Sequence, residues 1–531
     1  MKYLFTVLFA IVLLLIYPTE ALANGNGNGN GLLPAGHMSF FGGISEGVLL
    51  PRTTESMLVE QGSRRNRRQE INLRYSEMVF LGGTPVRFDG TLEISASGTV
   101  DMENEVGTFN VTHEVSTSAA TPEGIAIYRD VTFRVNYRVA GSQVIFTYDA
   151  IRDDWTEEIY VDGSTFNLDN EVSHFVISII EDRTPGVNYY RGDVTARLVY
   201  VDDDNGNIIV QEKQGSFHGY RSAWSATETH RIDNVVLARS SVGVDLWQVQ
   251  YQIRPSITMN KVLQFVRNEP NAISFDGNFR EVMQNNVGLH WDVFNATPGF
   301  GGNPSFSGVI NIEVPNTFEQ LPSPDLSFLR GNAAEDDIRR LFSTQILTGD
   351  PRFFQPEQAI SRGQFVAAVA RAIRLPIEEP VTVSRARARV QPDMSVFFDV
   401  PNTRAEYPWI MAAYNSGLAV GRANSMFYFD FPIERQEAFM IMIRALGLSN
   451  MGLNPTPMTP FTDNDLIAPW AMREVTVAYM IGLAVPNAMG EFGPNIMLSK
   501  GEAANILNEL VEYMRVGLIS DYADQIVNIA N

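Results

Sequence analysis

Three stretches of this chain carry the same spacing of residue types, and that repeat constrains the fold more than any other feature. Phe354, Phe427 and Phe492 each stand eight positions before a cation, Arg362, Arg435 and Lys500, and Ile360, Ile433 and Leu498 stand two before it. Upstream, Ile346-Leu347-Thr-Gly349, Gly417-Leu418-Ala-Val-Gly421 and Gly482-Leu483-Ala-Val-Pro486 correspond. The cations lie 73 and 65 residues apart, so units of about 60 residues fill 325–515. Each unit reads helix, Gly-containing loop, helix. Phe365, Val366, Val369, Ala370 and Ile373, and in the next unit Phe439, Met440, Ile443 and Leu446, recur at helical spacing and form buried stripes.

Ser361-x-x-Gln364 and Ser499-x-x-Glu502 are capping boxes. The residue after the cap position is a cation in every unit, opposite in sign to what a helix N-terminus favours. Two readings are open. Beside unpaired helix N–H groups a cation makes an anion site, and arginine's planar fork suits a carboxylate. Alternatively, each cation pairs with an acid of a neighbouring unit and joins the repeats.

Ahead of the repeats the period is two. Val131 to Val139 alternates apolar with polar, as do 247–253 and 306–314, and 194–201 with 208–210 flank an Asp-rich turn ending Asn205-Gly206-Asn207. Many short strands between Gly, Asn and Asp turns predict an all-β sandwich or barrel-like region of one or two domains over 36–320. At the N-terminus, Lys2, an apolar run 4–16 and Ala21-Leu22-Ala23 read as an export signal over 1–23. The run is too short to span a bilayer, and no transmembrane segment is expected after cleavage. The NGNGNGNG run within 24–35 reads as a spacer.

Composition narrows the chemistry. The 531 residues include no cysteine, which excludes thiolate metal sites, thiol nucleophiles and disulfides. A net charge of -21 opposes binding to nucleic acid. The charge is uneven, since 325–531 holds 17 basic and 23 acidic side chains. Within the β region, Asp202 to Asp204 lacks the register of a calcium loop and reads as a hairpin tip. Asp153, Asp154, Glu157 and Glu158 beside Trp155 read as surface acids rather than a glycosidase pair. Arg64 to Arg68 reads as an exposed loop, and His113, His174, His218, His230 and His290 show no metal-ligand spacing. No catalytic constellation appears and no cofactor is expected, structural calcium being the one addition left open.

The repeats resemble surface-layer homology (SLH) domains, whose pattern has an early Asp-Val and Trp, Gly-Ile/Leu-x-x-Gly, Phe-x-Pro and Ile-Thr-Arg-Ala-Glu. The last element is Ile-Ser-Arg-Gly-Gln at 360–364, Ile-Glu-Arg-Gln-Glu at 433–437 and Leu-Ser-Lys-Gly-Glu at 498–502. The resemblance implies an all-α, three-repeat pseudo-threefold bundle, with units at 325–380, 393–450 and 458–515 and a tail at 516–531. It also implies noncovalent binding to a secondary cell-wall polysaccharide, typically pyruvylated, whose carboxylate meets the motif cation. The residues carried over are Arg362 above all, then Arg435 and Lys500, with Ser361, Ser499, Gly349, Gly421, Asp399, Asp463 and Trp470. Glu434 beside Arg435 repels a carboxylate, and Lys500 cannot form a bidentate pair. Ala333 and Ala405 stand where the early Trp is expected, and Ser384 to Arg389 reads as a solvated strand between units. The chain is thus expected to be a non-enzymatic surface or S-layer-type protein of the bacterial cell wall, with self-assembly into a lattice as a further expectation. A surface-tethered enzyme acting on polysaccharide from the β region is the alternative.

Overall fold

A computed structural model describes residues 41–45, 70–81, 85–98, 105–117, 125–161, 163–266, 278–296, 306–377, 396–422, 425–452 and 458–522. The expected signal, the spacer, Arg64 to Arg68 and Ser384 to Arg389 lie outside them. The N-terminal half is mostly β. Its strands are β1 (Ile44–Ser45), β2 (Glu70–Val79), β3 (Val86–Gly98), β4 (Val106–Thr117), β5 (Ala126–Ala140), β6 (Gln143–Val161), β7 (Ser164–Leu168) and β8 (His174–Arg183). There follow β9 (Val187–Asp202), β10 (Ile208–Ser222), β11 (Ser225–Arg239), β12 (Asp245–Val266), β13 (Asn278–Ala296), β14 (Phe306–Ile312) and β15 (Thr317–Gln320). They form one antiparallel sheet in which sequence neighbours pair; β7 and β8 share the space between β6 and β9, and β15 returns to pair with β13.

Alternation explains the sheet. On β5, Ile127, Val131, Phe133, Val135 and Tyr137 are buried while Asp130, Arg134, Asn136 and Arg138 are exposed, so a shift of one residue would invert the strand. The buried faces of β1 to β14 join a single apolar cluster. A sheet with one shared inner face has to curl onto itself, and contacts across its ends show that it does. Arg74 of β2 donates to the Glu313 carbonyl just beyond β14 at 2.7 Å, and Phe80 stacks on Tyr251 of β12 at 3.6 Å. Of the two expected architectures the single curled sheet is the barrel-like one.

The C-terminal part holds α1 (Glu335–Ser343), α2 (Arg362–Ala372), α3 (Tyr407–Asn415), α4 (Arg435–Leu446), α5 (Met472–Met480) and α6 (Lys500–Glu512). The last of these continues through a π-helical turn, Tyr513–Gly517, into α7 (Leu518–Asp521). Both expected capping boxes are present, at Ser361 with Gln364 and at Ser499 with Glu502. The aligned aliphatic residues meet in a ring of backbone hydrogen bonds. Ile360 donates to Leu498 at 3.0 Å, Leu498 to Ile433 at 3.1 Å and Ile433 to Ile360 at 3.3 Å. All three side chains are buried.

The two regions, expected as separate modules, share a core where they meet. The turn between β8 and β9 and that between β10 and β11 enter the helical core with Val187, Tyr220, Ala223 and Trp224. Trp224 Nε1 donates to the Ala372 carbonyl at the end of α2 at 2.7 Å, and Tyr189 Oη to the Leu446 carbonyl at the end of α4 at 2.9 Å. Ser225 Oγ donates to the Met514 carbonyl in the π turn, where the altered helical ladder leaves that oxygen available to it. Each large side chain buried in this way contributes about 1.5–3 kcal/mol.

Candidate functional site

The motif cations sit at the first positions of α2, α4 and α6, and the environment there differs from the expected open helix terminus. Every first and second amide is taken by the Phe-containing loop of another repeat. Arg362 and Gly363 donate to the Phe431 and Phe429 carbonyls at 2.7 and 3.0 Å, Arg435 and Gln436 to Ile496 and Pro494 at 2.9 and 3.1 Å, and Lys500 and Gly501 to Gln358 and Pro356 at 2.8 and 2.9 Å. The premise of unpaired helix N–H groups is therefore corrected at these positions. A helix end buried between units must satisfy its amides, and the neighbouring loop does so.

The side chains differ among themselves. Arg362 is 3% exposed. Its Nε donates to Glu437 Oε1 at 2.7 Å, one terminal nitrogen to the Val420 carbonyl at 2.7 Å and the other to the Phe427 carbonyl, and the guanidinium lies 4.2 Å from the Phe427 ring centroid. Glu437 also accepts from Arg422. Arg435 lies 3.5 Å from Glu502, and its Nε has no hydrogen-bond partner among the described residues. In both, the cation of one repeat faces the acid three positions into the second helix of the next. Lys500 breaks the pattern, because that position holds Gln364 in the first repeat. Its Nζ donates to Gln358 Oε1 at 2.6 Å and lies 5.8 Å from the Phe354 ring centroid. Among the described residues it has no carboxylate partner, and partial burial pushes its pKa down.

The other carried-over residues build the loops. Asp399 accepts from the Phe427 and Phe429 amides at 2.7 and 2.8 Å, and Asp463 from Phe492 and Gly493 at 2.8 and 2.7 Å. Burial works against the Asp399 charge, but these amides outweigh it and hold the carboxyl below its usual value. The Ser361 and Ser499 hydroxyls accept from the amides of Gln364 and Glu502. Gly349 takes φ +102, a left-handed conformation that favours glycine. A Cβ on Gly421 would stand 2.7 Å from the Phe397 ring. Trp470 is 50% exposed just ahead of α5.

Two cavities flank the loop carrying Pro356 and Glu357. One, of about 380 Å³, lies between α1 and α6 and brings together Ala333, Ala334, Arg435, Ser499, Gly501 and Glu502. The small Ala333, where a Trp is expected, leaves this space open. Asp337, Glu357 and Glu502 also line it against the single cation Arg435, so the field is unfavourable to an anion. The second, of about 690 Å³, is lined by Phe328, Phe353, Phe354, Arg352, Gln355 and Gln358 among others. Phe353 is 78% exposed, and the two residues that Lys500 touches, Gln358 and Phe354, both belong to this wall. Sequence reasoning missed Gln358 and Phe353. Their only signal was proximity to the motif, and the contact with Lys500 joins residues 142 positions apart.

In the β region Glu157 points inward beside the buried Trp155, correcting its reading as a surface acid, while Asp153, Asp154 and Glu158 are exposed. Arg129 reaches Glu157 Oε1 at 2.6 Å and Glu77 at 3.0 and 3.3 Å. Burial would raise the Glu77 pKa, yet the Arg129 guanidinium outweighs it and holds the carboxyl low, the reverse of what a glycosidase acid needs. Asp202 accepts from the amides of Asp204 and Asn205 and from the Asn205 side chain, so its oxygens serve the turn. His174 and His290 lie on strands β8 and β13, and His113, His218 and His230 on β4, β10 and β11. No cluster of three metal-ligating side chains occurs among the described residues, and no described helix is long and apolar enough to cross a membrane.

The sequence profile of the S-layer homology domain matches residues 330–366, a stretch that runs from α1 through the Phe354 loop to the start of α2. An endoglucanase of Bacillus sp. (strain KSM-635) is 26% identical over 176 residues, 33% of this chain and 17% of that protein. Exoglucanase XynX of Acetivibrio thermocellus is 28% identical over 223 residues, 41% of this chain and 18% of that one. An S-layer protein of Bacillus thuringiensis subsp. finitimus is 24% identical over 173 residues, 32% of this chain and 19% of that one. The chain thus spans less than a fifth of the length of each relative. The domain and these relatives point to the cell surface or cell wall.

Proposed function

We propose that all three repeats are S-layer homology units forming a pseudo-threefold bundle, which anchors an exported chain noncovalently to an anionic secondary cell-wall polysaccharide. Equal spacing in three copies and the ring through Ile360, Leu498 and Ile433 support three units. The matched stretches of 173 to 223 residues have the size of 325–515 rather than of one repeat. One observation carries the polymer site. Among the described residues Lys500 is the motif cation with no acid of the next repeat beside it, and it contacts Gln358 and Phe354, which line a cavity with exposed aromatic rings. A sugar ring stacks on such a face while its carboxylate takes the ammonium. Arg362, expected to be the foremost ligand, acts in this reading as the joint between the first two units, and Arg435 contributes weakly because Glu502 faces it. The β region is the part displayed, as an interaction or lattice-forming surface.

The test is sedimentation of the full chain with purified cell walls. Lys500→Ala is expected to abolish most binding and Lys500→Arg to retain it, and walls stripped of pyruvyl groups should bind little. Equal binding by Lys500→Ala and the unaltered chain would reject this site.

The glucanase names of two relatives favour a second reading, a wall-tethered enzyme acting on polysaccharide from the β region. Release of reducing sugar from wall or plant glucans by the full chain would establish it.

A further inference from the structure

The first described residues, 41–45, lie inside the β region, although 24 residues separate them from β2. Phe41 is 3% exposed, and Ile44 and Ser45 are fully buried. The Phe41 ring lies 4.0 Å from the Arg129 guanidinium carbon and 4.8 Å from the Phe175 ring centroid, and its carbonyl accepts from Lys213 Nζ. A Cβ on Gly42 would stand 2.1 Å from Ile253 Cδ1, and one on Gly43 would stand 2.4 Å from the Tyr75 ring. Gly42 also takes φ +99, so only glycine fits there without strain. The ladder itself is short: Ile44 opposes Ser76 and Ser45 opposes Tyr75. Phe41 meets β5, β8 and β10, Gly42 meets β12, and Gly43 and Ile44 meet β2.

The groups receiving this segment are built as a site. Arg129 is fixed by Glu77 and Glu157, and Tyr200 donates to Glu157 at 3.1 Å. Arg129 Nε and Glu157 Oε2 have no hydrogen-bond partner among the described residues, with the segment in place. Arg129 presents its face to an aromatic ring and Lys213 its ammonium to a peptide carbonyl, so the segment is held by these cationic contacts as well as by joining the apolar core.

We propose that the interior of the β region is an acceptor for a Phe-Gly-Gly-Ile strand, and that copies of this chain associate by exchanging it. Every contact described lies between residues 41–45 and the acceptor walls, so a segment from a second copy makes the same ones. The covalent connection adds only effective concentration. Its 24 residues reach at most about 80 Å, enough to enter a neighbour when copies are crowded on a surface, and exchange of an identical element is a low-cost route to association. The inference rests on the proposed self-associating role of the β region. It fails separately from wall anchoring, which is read by sedimentation.

Because the chain has no cysteine, the exchange can be trapped without background. Ile44→Cys and Ser76→Cys stand opposite each other across the strand pair, so the two single variants, mixed at high concentration and oxidised, should form a mixed disulfide dimer. A Thr91→Cys partner, remote from Ile44, should not. An octapeptide of residues 39–46 with Cys at position 44 should label the Ser76→Cys chain, which guards against misfolding of the Ile44 variant. The label should fall at least tenfold when alanine replaces the peptide's phenylalanine at 41. Exclusive intrachain closure in the Ile44→Cys/Ser76→Cys double variant, with no mixed dimer and no peptide labelling, would overturn the proposal.

Discussion

Arg362 Nε lies 2.7 Å from Glu437 Oε1, a salt bridge between α2 and α4 with both side chains about 95% buried. The same guanidinium holds two backbone carbonyls of the second repeat, so it is better described as a rivet than as an exposed ligand.

Breaking a buried, hydrogen-bonded pair on one side leaves an uncompensated charge, at about 3–5 kcal/mol. Arg362→Ala and Glu437→Ala should each destabilise the full chain by that order in urea unfolding. Lys500→Ala, which leaves no buried acid behind, should stay within about 0.5 kcal/mol. Arg362→Ala, if it left stability unchanged but removed wall binding, would restore Arg362 to the role of ligand.

On the proposed reading, wall binding through Lys500 should be electrostatic at a half-exposed site and should weaken with salt, since the screening length falls from about 10 Å at 0.1 M to about 3 Å at 1 M. Lys500→Glu should sediment less than Lys500→Ala at low salt, and the difference should vanish at high salt.

Two glycines at equivalent places should respond with opposite sign. A Cβ on Gly363 would stand 2.0 Å from the Phe429 ring, whereas the nearest atom to one on Gly501 is at 3.4 Å. Gly363→Ala should cost about 1–3 kcal/mol through overpacking. Gly501→Ala should be neutral or stabilising by up to about 1 kcal/mol, as expected for alanine in a helix, and chemical denaturation of both variants reads the contrast.

Helix stripes, capping boxes and strand alternation were all legible in the sequence, because each depends on spacing within one element. The partner of Arg362 was not. The motif shows a cation at the first helical position, but whether Glu437 or solvent faces it depends on how α2 and α4 pack, which no local spacing records. Glu157 misled for a related reason: in a strand of alternating residues a carboxylate on the inward parity looks like a surface acid until Arg129 is known to lie opposite. The entry of Trp224 into the helical core left no local pattern, since a turn residue docking on a distant helix end breaks neither period.

The β region should lose stability on acidification in a way traceable to His113. Burial, assisted by the Arg129 charge, pushes its pKa down to about 3 from the usual 6.5. Below pH 6.5 the unfolded chain binds a proton that the folded chain refuses. Stability from this group is therefore complete above pH 6.5 and falls by up to about 1.4 kcal/mol per pH unit as pH drops toward 3. His113→Gln should flatten that slope in denaturation curves at pH 7, 6, 5 and 4.

The unaltered chain should unfold in a single calorimetric transition, and Trp224→Ala should cost about 3–5 kcal/mol and split it, because it empties the joint between β turns and helices. Trp224→Phe, keeping the bulk but losing the bond to Ala372, should cost about 1 kcal/mol and leave the transition single.

That joint has a mechanical meaning. Two β turns wedged among helix ends, tied at Ala372, Leu446 and Met514, make a stiff coupling in place of a hinge. Drag on the β region then reaches the helices as a torque on a rigid body, loading several polar bonds at once in shear, and the orientation of the outer surface is set by whichever helical face is held.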